Sequence, residues 1–233
     1  ILVLEYANEG SLSDYLKTKF TSLKWHDKIQ MALDITSGLK FLHSKEIIHR
    51  DLHSKNILVN NGKLLIADLG LSKKLKDITT GSMGNKCGML EYIEPQCLKN
   101  VKYKKDKKSD IYSLGVLLWN ISSGRHPFYG IEQILLSDHI RNGNREEPIK
   151  DTPPKYQKLY QGCWDNEPKS RPGIEEVHEI LSQLSTEVFF DLQPNNLDNI
   201  DDKSNNDDDG LYVSSENLNL NPISKFNIFD YIN

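Results

Sequence analysis

Residues 49 to 68 read HRDLHSKNILVNNGKLLIAD, which sets Asp51, then Asn56 five positions later, then Asp68 twelve beyond that. Two carboxylates and an amide are hard oxygen ligands. Brought together, they suit magnesium, a cation that takes oxygen ligands and completes its shell with water and phosphate oxygens. Aspartate and asparagine between apolar runs are also ordinary turn residues. The chemistry therefore requires the chain to reverse between Asn56 and Asp68.

The intervening residues supply that reversal. ILVN and KLLIA flank Asn61-Gly62, and Asn-Gly between two apolar runs predicts a tight hairpin. Asp51 and Asn56 then stand at the start of its first strand and Asp68 just after its second. Around the hairpin the pattern is helical. From Trp25 to His43, apolar residues at Ile29, Ala32, Leu33, Ile35, Leu39 and Leu42 mark one helical face. Ser11 is a plausible N-cap for SLSDYL, with Asp14 in its first turn. IYSLGVLLWNISSG is apolar almost all round and stops at Gly124, as a central buried helix would. Further helices fit EQILLSDHIRNG, KYQKLYQGCW and IEEVHEILSQL. ILVLEY at the start is strand-like, and little strand pattern follows residue 70, so the predicted fold is mainly α with a small β-hairpin.

Composition excludes several classes. The 233 residues carry a formal charge of −4, but residues 187–233 hold ten acidic and two basic side chains, leaving the remainder net basic. That Asn/Asp-rich segment buries too little apolar surface to offset ordering and is read as a disordered acidic tail after a folded region of residues 1–186. The longest apolar run, LGVLLWNI, is far shorter than the roughly 20 residues that cross a bilayer, so no membrane partner is expected. Cys87, Cys97 and Cys163 form no CxxC pair, which fits a reducing, intracellular and cytoplasmic setting. His49 and His53 are four apart, yet Arg50 stands where a zinc-binding HExxH helix has glutamate. Six lysines between residues 99 and 108 lack interleaved aromatics and read as a solvated loop, so no nucleic-acid partner is expected.

Five stretches in order resemble the protein kinase family. HRDLHSKN is similar to its catalytic loop, ADLG to its DFG element, and LEYIEPQ to its APE segment. SDIYSLG is similar to the head of its central helix and CWDNEPKSRP to a stretch near its end, in phrasing closest to the tyrosine-kinase-like group, whose members mostly modify Ser and Thr. The resemblance covers about residues 1 to 185. It implies a protein-kinase-like C-terminal lobe with its hinge, an α+β family fold lacking its N-terminal lobe, whose glycine-rich loop and strand lysine would stand upstream in a longer parent chain.

Carried over by position, the resemblance implies ATP and Mg2+ as cofactors and a protein as substrate. Asp51 would accept the proton of the substrate hydroxyl, and Asn56 and Asp68 would hold magnesium. Glu5 and Ala7 match hinge positions whose backbone meets adenine, Leu4 the side chain beside that pocket, and Leu58 its floor. Arg50 would meet a phosphate on the following loop, with Thr79, Thr80 and Ser82 as candidate phosphosites. Asp110 would be buried and tie the central helix to the catalytic loop.

Three departures stand out. His53 replaces the lysine common in serine/threonine kinases and Met89 a threonine, so Lys55 is the candidate substitute cation and tyrosine specificity stays open. Gln96 stands where the family has the glutamate that pairs with the residue matching Arg171. That leaves Arg171 less compensated and predicts a higher melting temperature for Gln96→Glu. Two functions follow: phosphoryl transfer by the parent chain, with the 233 residues alone inactive, or a catalytically inactive kinase-like binding or scaffold module.

Overall fold

The computed structural model describes residues 6–74 and 89–191. Helices α1 (Leu12–Lys19) and α2 (Trp25–Ser44) lead into strand β1 (Ile47–Ile48), the hairpin β2 (Ile57–Asn60) and β3 (Lys63–Ile66), and strand β4 (Lys73–Lys74). Then follow α3 (Pro95–Lys99), α4 (Lys107–Ser123), α5 (Gln133–Arg141), α6 (Pro154–Cys163) and α7 (Ile174–Asp191). Among the described residues the fold is thus mainly helical, with two small two-stranded antiparallel sheets. No helix there is long and apolar enough to cross a membrane.

Local chemistry sets the ends of these elements. Ser11 caps α1 by accepting the Asp14 N–H through its hydroxyl. Asp106 caps α4, accepting the Lys108 and Ser109 N–H groups while the Ser109 hydroxyl accepts from the Asp106 N–H. Gly124 ends α4 at φ 66°, the left-handed turn that glycine adopts at least cost. Asn61 and Gly62 have φ of 51° and 74°, the two successive positive values of the tight hairpin turn their sequence predicts.

The core lies between α2, α4, α6 and α7. α2 packs on α7 and on α4, and α6 packs on both α4 and α7. Nearly every residue of α4 from Ser109 on is buried, which explains its all-round apolar sequence. α6 reaches α4 at Gly115, where a Cβ would stand 2.8 Å from the Trp164 nitrogen. Cys163 and Trp164 belong to the same core cluster.

Three readings from sequence need adjustment. The short ladder in which Ile47 pairs with Lys74 and Ile48 with Lys73 was not expected after residue 70; two-residue strands leave no periodicity to detect. α7 runs to Asp191, past the boundary placed at residue 186, because Val188 still packs on the core. The lysine run is not all solvated: Lys105 is buried, Lys107 pairs with Glu46, and Lys108 donates to the carbonyls of Arg171 and Pro172. The strand expected over ILVLEY spans residues 1–6, of which 1–5 lie outside the described residues.

Candidate active site

The hairpin brings the end of its second strand back to Asn56, which in turn bonds to Asp51. β2 and β3 pair Ile57 with Ile66, and beyond that pair the Ala67 N–H donates to the Asn56 carbonyl at 2.8 Å. Asn56 thus faces Ala67, the residue before Asp68. At its other side, the Asn56 side-chain amide donates to the Asp51 carbonyl at 3.0 Å and approaches Asp51 Oδ2 at 3.3 Å. The amide nitrogen faces Asp51, so Oδ1 of Asn56 is turned away from it, and no hydrogen bond to that oxygen is formed among the described residues.

Asp51 is partly buried. Its Oδ1 is sealed from solvent and has no hydrogen-bond partner among the described residues. A buried carboxylate oxygen left unpaired is costly, of order 1–3 kcal/mol or more for a charged group, and native proteins keep such groups where a ligand completes them. The His53 ring, 3.7 Å from Oδ2, holds the Asp51 carboxyl below the usual carboxylate range against the opposing effect of burial. Asp51 is thereby kept ionised.

Two residues here have backbone conformations rare for side-chain-bearing residues: Arg50 at φ 71° and Asp68 at φ 59°. The Arg50 peptide is fixed from both ends. Asp110 is buried in the first turn of α4, and its Oδ1 accepts the Arg50 N–H at 2.9 Å. Its Oδ2 accepts the His49 N–H at 2.9 Å and faces His43 Nε2 at 2.9 Å. From the loop before α4, the Lys105 ammonium donates to the Arg50 carbonyl at 2.9 Å, and burial draws that amine below its ordinary pKa. The strained peptide that presents Asp51 is therefore held by a carboxylate on its N–H and a cation on its carbonyl.

His49 joins this loop to the second strand's end. Its Nδ1 accepts the Asp51 N–H at 3.4 Å, so its Nε2 carries the proton and donates to the Ala67 carbonyl at 3.1 Å. Asp68 itself is exposed, with Oδ1 accepting the Gly70 N–H at 3.0 Å. Among the described residues no group of three or more His, Cys, Asp or Glu side chains could hold a metal ion. A donor set of one amide oxygen and one carboxylate matches a magnesium ion shared with phosphate oxygens, not a cage built from protein alone. The residues present fit that ion.

The other expected positions distribute as follows. Lys55 is exposed beside the loop and Arg50 is buried. Ala7 is half-buried where the chain runs alongside β2, as the Glu9 N–H bonds to the Val59 carbonyl at 3.0 Å and the Val59 N–H to the Gly10 carbonyl at 2.9 Å. Leu58 lies opposite Leu65 on the hairpin face away from buried Ile57 and Val59. Both Leu58 and Leu65 are incompletely covered, leaving an apolar surface next to the Ala7 segment. Leu4, Glu5, Thr79, Thr80 and Ser82 lie outside the described residues.

The pairing expected of Gln96 is corrected. Arg171 bonds to Glu94 instead, at 2.7 Å, while the Gln96 amide donates to the Asn166 carbonyl at 3.1 Å. Glu94 sits on extended backbone ahead of α3 and turns inward, whereas Gln96 lies one residue past Pro95 on the helix's first turn. Arg171 is thus compensated by a carboxylate two positions earlier. Sequence reasoning also passed over His43, Lys105 and the bonding of His53; a lone buried lysine in a lysine-rich run has no signal of its own.

This arrangement of loop, hairpin and central helix belongs to a known class. The family model described as protein tyrosine and serine/threonine kinase matches residues 1–181, and the chain belongs to that family. A probable serine/threonine-protein kinase of Dictyostelium discoideum, drkB, is 34% identical over 196 residues, covering 82% of this chain and 28% of its own. The serine/threonine-protein kinase STY17 of Arabidopsis thaliana is 29% identical over 192 residues, covering 82% of this chain and 33% of its own. The cyclic GMP-binding protein C of Dictyostelium discoideum is 35% identical over 196 residues, covering 78% of this chain and 7% of its own. The chain spans about a third or less of the length of these relatives.

Proposed function

We propose that this chain is the catalytic-loop half of a protein kinase that transfers the γ-phosphoryl group of ATP to a Ser or Thr hydroxyl of a protein, with Mg2+ as cofactor. The observation that carries this is the buried, unpartnered Oδ1 of Asp51 beside an Asn56 amide whose orientation is fixed. Bound Mg·ATP would supply the transferable phosphoryl group and neutralise the charge it develops. Asp51 Oδ1 would take the hydroxyl proton as the new oxygen–phosphorus bond forms and the bond from the γ-phosphorus to the departing ADP breaks, and Asp51 is suited to this because it stays ionised. Asn56 Oδ1 and the Asp68 carboxylate would hold magnesium, and exposed Lys55 would stand near the phosphoryl group in place of the lysine that His53 replaces. Ala7 and Leu58 would contact adenine. Arg50, tied through Asp110, would meet a phosphate on the loop holding Thr79, Thr80 and Ser82. Catalysis of this kind is positioning and electrostatics, which is what the bracing of the Arg50–Asp51 peptide provides.

A glycine-rich loop and strand lysine are not among the 233 residues, so the chain alone is expected to transfer negligible phosphate. The test measures transfer of labelled γ-phosphate to Ser, Thr and Tyr peptides by the 233 residues and by the chain continued through its encoded upstream residues. Transfer to Ser or Thr by the longer chain, absent from its Asp51→Asn variant, is the expected result. Phosphate transfer by neither would favour the binding or scaffold module.

A further inference from the structure

We propose that His53 is a positioning residue for the reaction, bridging the Asn56 backbone and the Asp51 carboxylate so that one oxygen, Oδ1, is left to accept the hydroxyl proton. The proposal rests on the role given to Asp51 above. The Asn56 N–H reaches His53 Nδ1 at 3.2 Å, shared with the His53 carbonyl at 2.9 Å. A ring nitrogen that accepts carries no proton, so the ring hydrogen sits on Nε2. Nε2 stands 3.7 Å from Asp51 Oδ2, beyond hydrogen-bond reach in a ligand-free site, where catalytic contacts are commonly long and tighten on occupancy.

Oδ2 is also the oxygen that the Asn56 amide approaches at 3.3 Å. The Asn56 amide and the His53 ring therefore face the same carboxylate oxygen, and the other is buried without a partner among the described residues. The ring cannot drift from this position. It is 8% exposed and packs against Tyr92 with centroids 6.1 Å apart, and the Tyr92 hydroxyl donates to Ser54, the next residue of the loop, at 3.1 Å. A lysine at position 53 has three donors and no acceptor, so it could not receive the Asn56 N–H. Histidine adds a brace between the proton acceptor and the magnesium-side amide that lysine cannot form.

Nitrogen-15 NMR of ring-labelled histidine in the 233-residue chain reads the proton directly. The expected result is an unprotonated Nδ1 and a protonated Nε2 for His53, with the Nε2 resonance shifted in Asp51→Asn. A proton on Nδ1, or an Nε2 resonance indifferent to Asp51→Asn, overturns the proposal. In the chain continued upstream, His53→Ala should lower kcat by about 10- to 100-fold, the scale of a small misplacement, with KM for nucleotide and peptide changed by less than about twofold. His53→Gln, whose amide N–H reaches toward the Nε2 position, should recover most of the loss. Wild-type kcat in His53→Ala, or no recovery in a folded His53→Gln, overturns it. If the unmodified continued chain transfers no phosphate, the proposed function falls, and the ring measurement alone decides this proposal.

Discussion

Glu94 and Arg171 form an ion pair at 2.7 Å with both side chains sealed from solvent. Glu94 also accepts the Ser109 hydroxyl, and Arg171 donates to the carbonyls of Lys108 at 2.7 Å and Asp165 at 2.9 Å. The pair ties the segment ahead of α3 to the start of α4 and the turn before α7. Breaking such a pair leaves an uncompensated buried charge, a loss of about 3–5 kcal/mol. Glu94→Gln should lower the melting temperature by on the order of 10 °C, measured by calorimetry.

Gln96→Glu should not stabilise, contrary to what its sequence position suggests. A carboxylate there would face the Asn166 carbonyl that the amide now serves. The expected result is a loss of about 1 kcal/mol in urea unfolding.

Gly115 in α4 decides between two opposed effects. Alanine in a helix interior is favoured over glycine by about 1 kcal/mol. At Gly115, however, an added Cβ would meet the Cys163 Cβ and the Trp164 nitrogen, each at 2.8 Å, and backbone yields little. Packing should win, with Gly115→Ala destabilising by about 1–3 kcal/mol, read from the urea midpoint.

Burial pushes the thiols of Cys97 and Cys163 up to about 12 from their ordinary 9.0. The raised value means less thiolate at any pH below it, about one molecule in ten thousand at pH 8 for either residue. Iodoacetamide should leave both unmodified in the native chain at pH 8 and alkylate both in guanidinium, as read by peptide mass.

Asp110 accepts backbone N–H groups from both His49 and Arg50. Asparagine would turn an N–H2 toward one of these donors, leaving it unserved at a cost of about 1–3 kcal/mol. Asp110→Asn should speed hydrogen exchange at the His49 and Arg50 amides while the amides of α7 keep their rates.

Much of this was legible in sequence, for identifiable reasons. The faces of α2 and α7 carry helical periodicity, and Asn61-Gly62 permits the two positive φ values that the turn requires. Ser11 and Gly124 are caps whose side chain, or lack of one, fixes them locally. The return of Ala67, the residue before Asp68, to the Asn56 carbonyl follows from the hairpin register. What stayed hidden depends on three-dimensional company. Glu94 replaces the expected partner of Arg171 because extended backbone ahead of Pro95 directs it inward, which alignment by position does not convey. Lys105 reads as one more surface lysine, and its burial is set by the Arg50 carbonyl that it meets.

The measurement closest to the central claim separates proton acceptance from magnesium holding in the chain continued upstream. Asp51→Asn should lower kcat by about 10²- to 10⁴-fold, the range for a lost proton acceptor, with magnesium-dependent nucleotide affinity unchanged. Asp68→Asn should instead weaken that magnesium-dependent affinity. Wild-type turnover in Asp51→Asn would contradict the assignment of the buried carboxylate as the group that receives the hydroxyl proton.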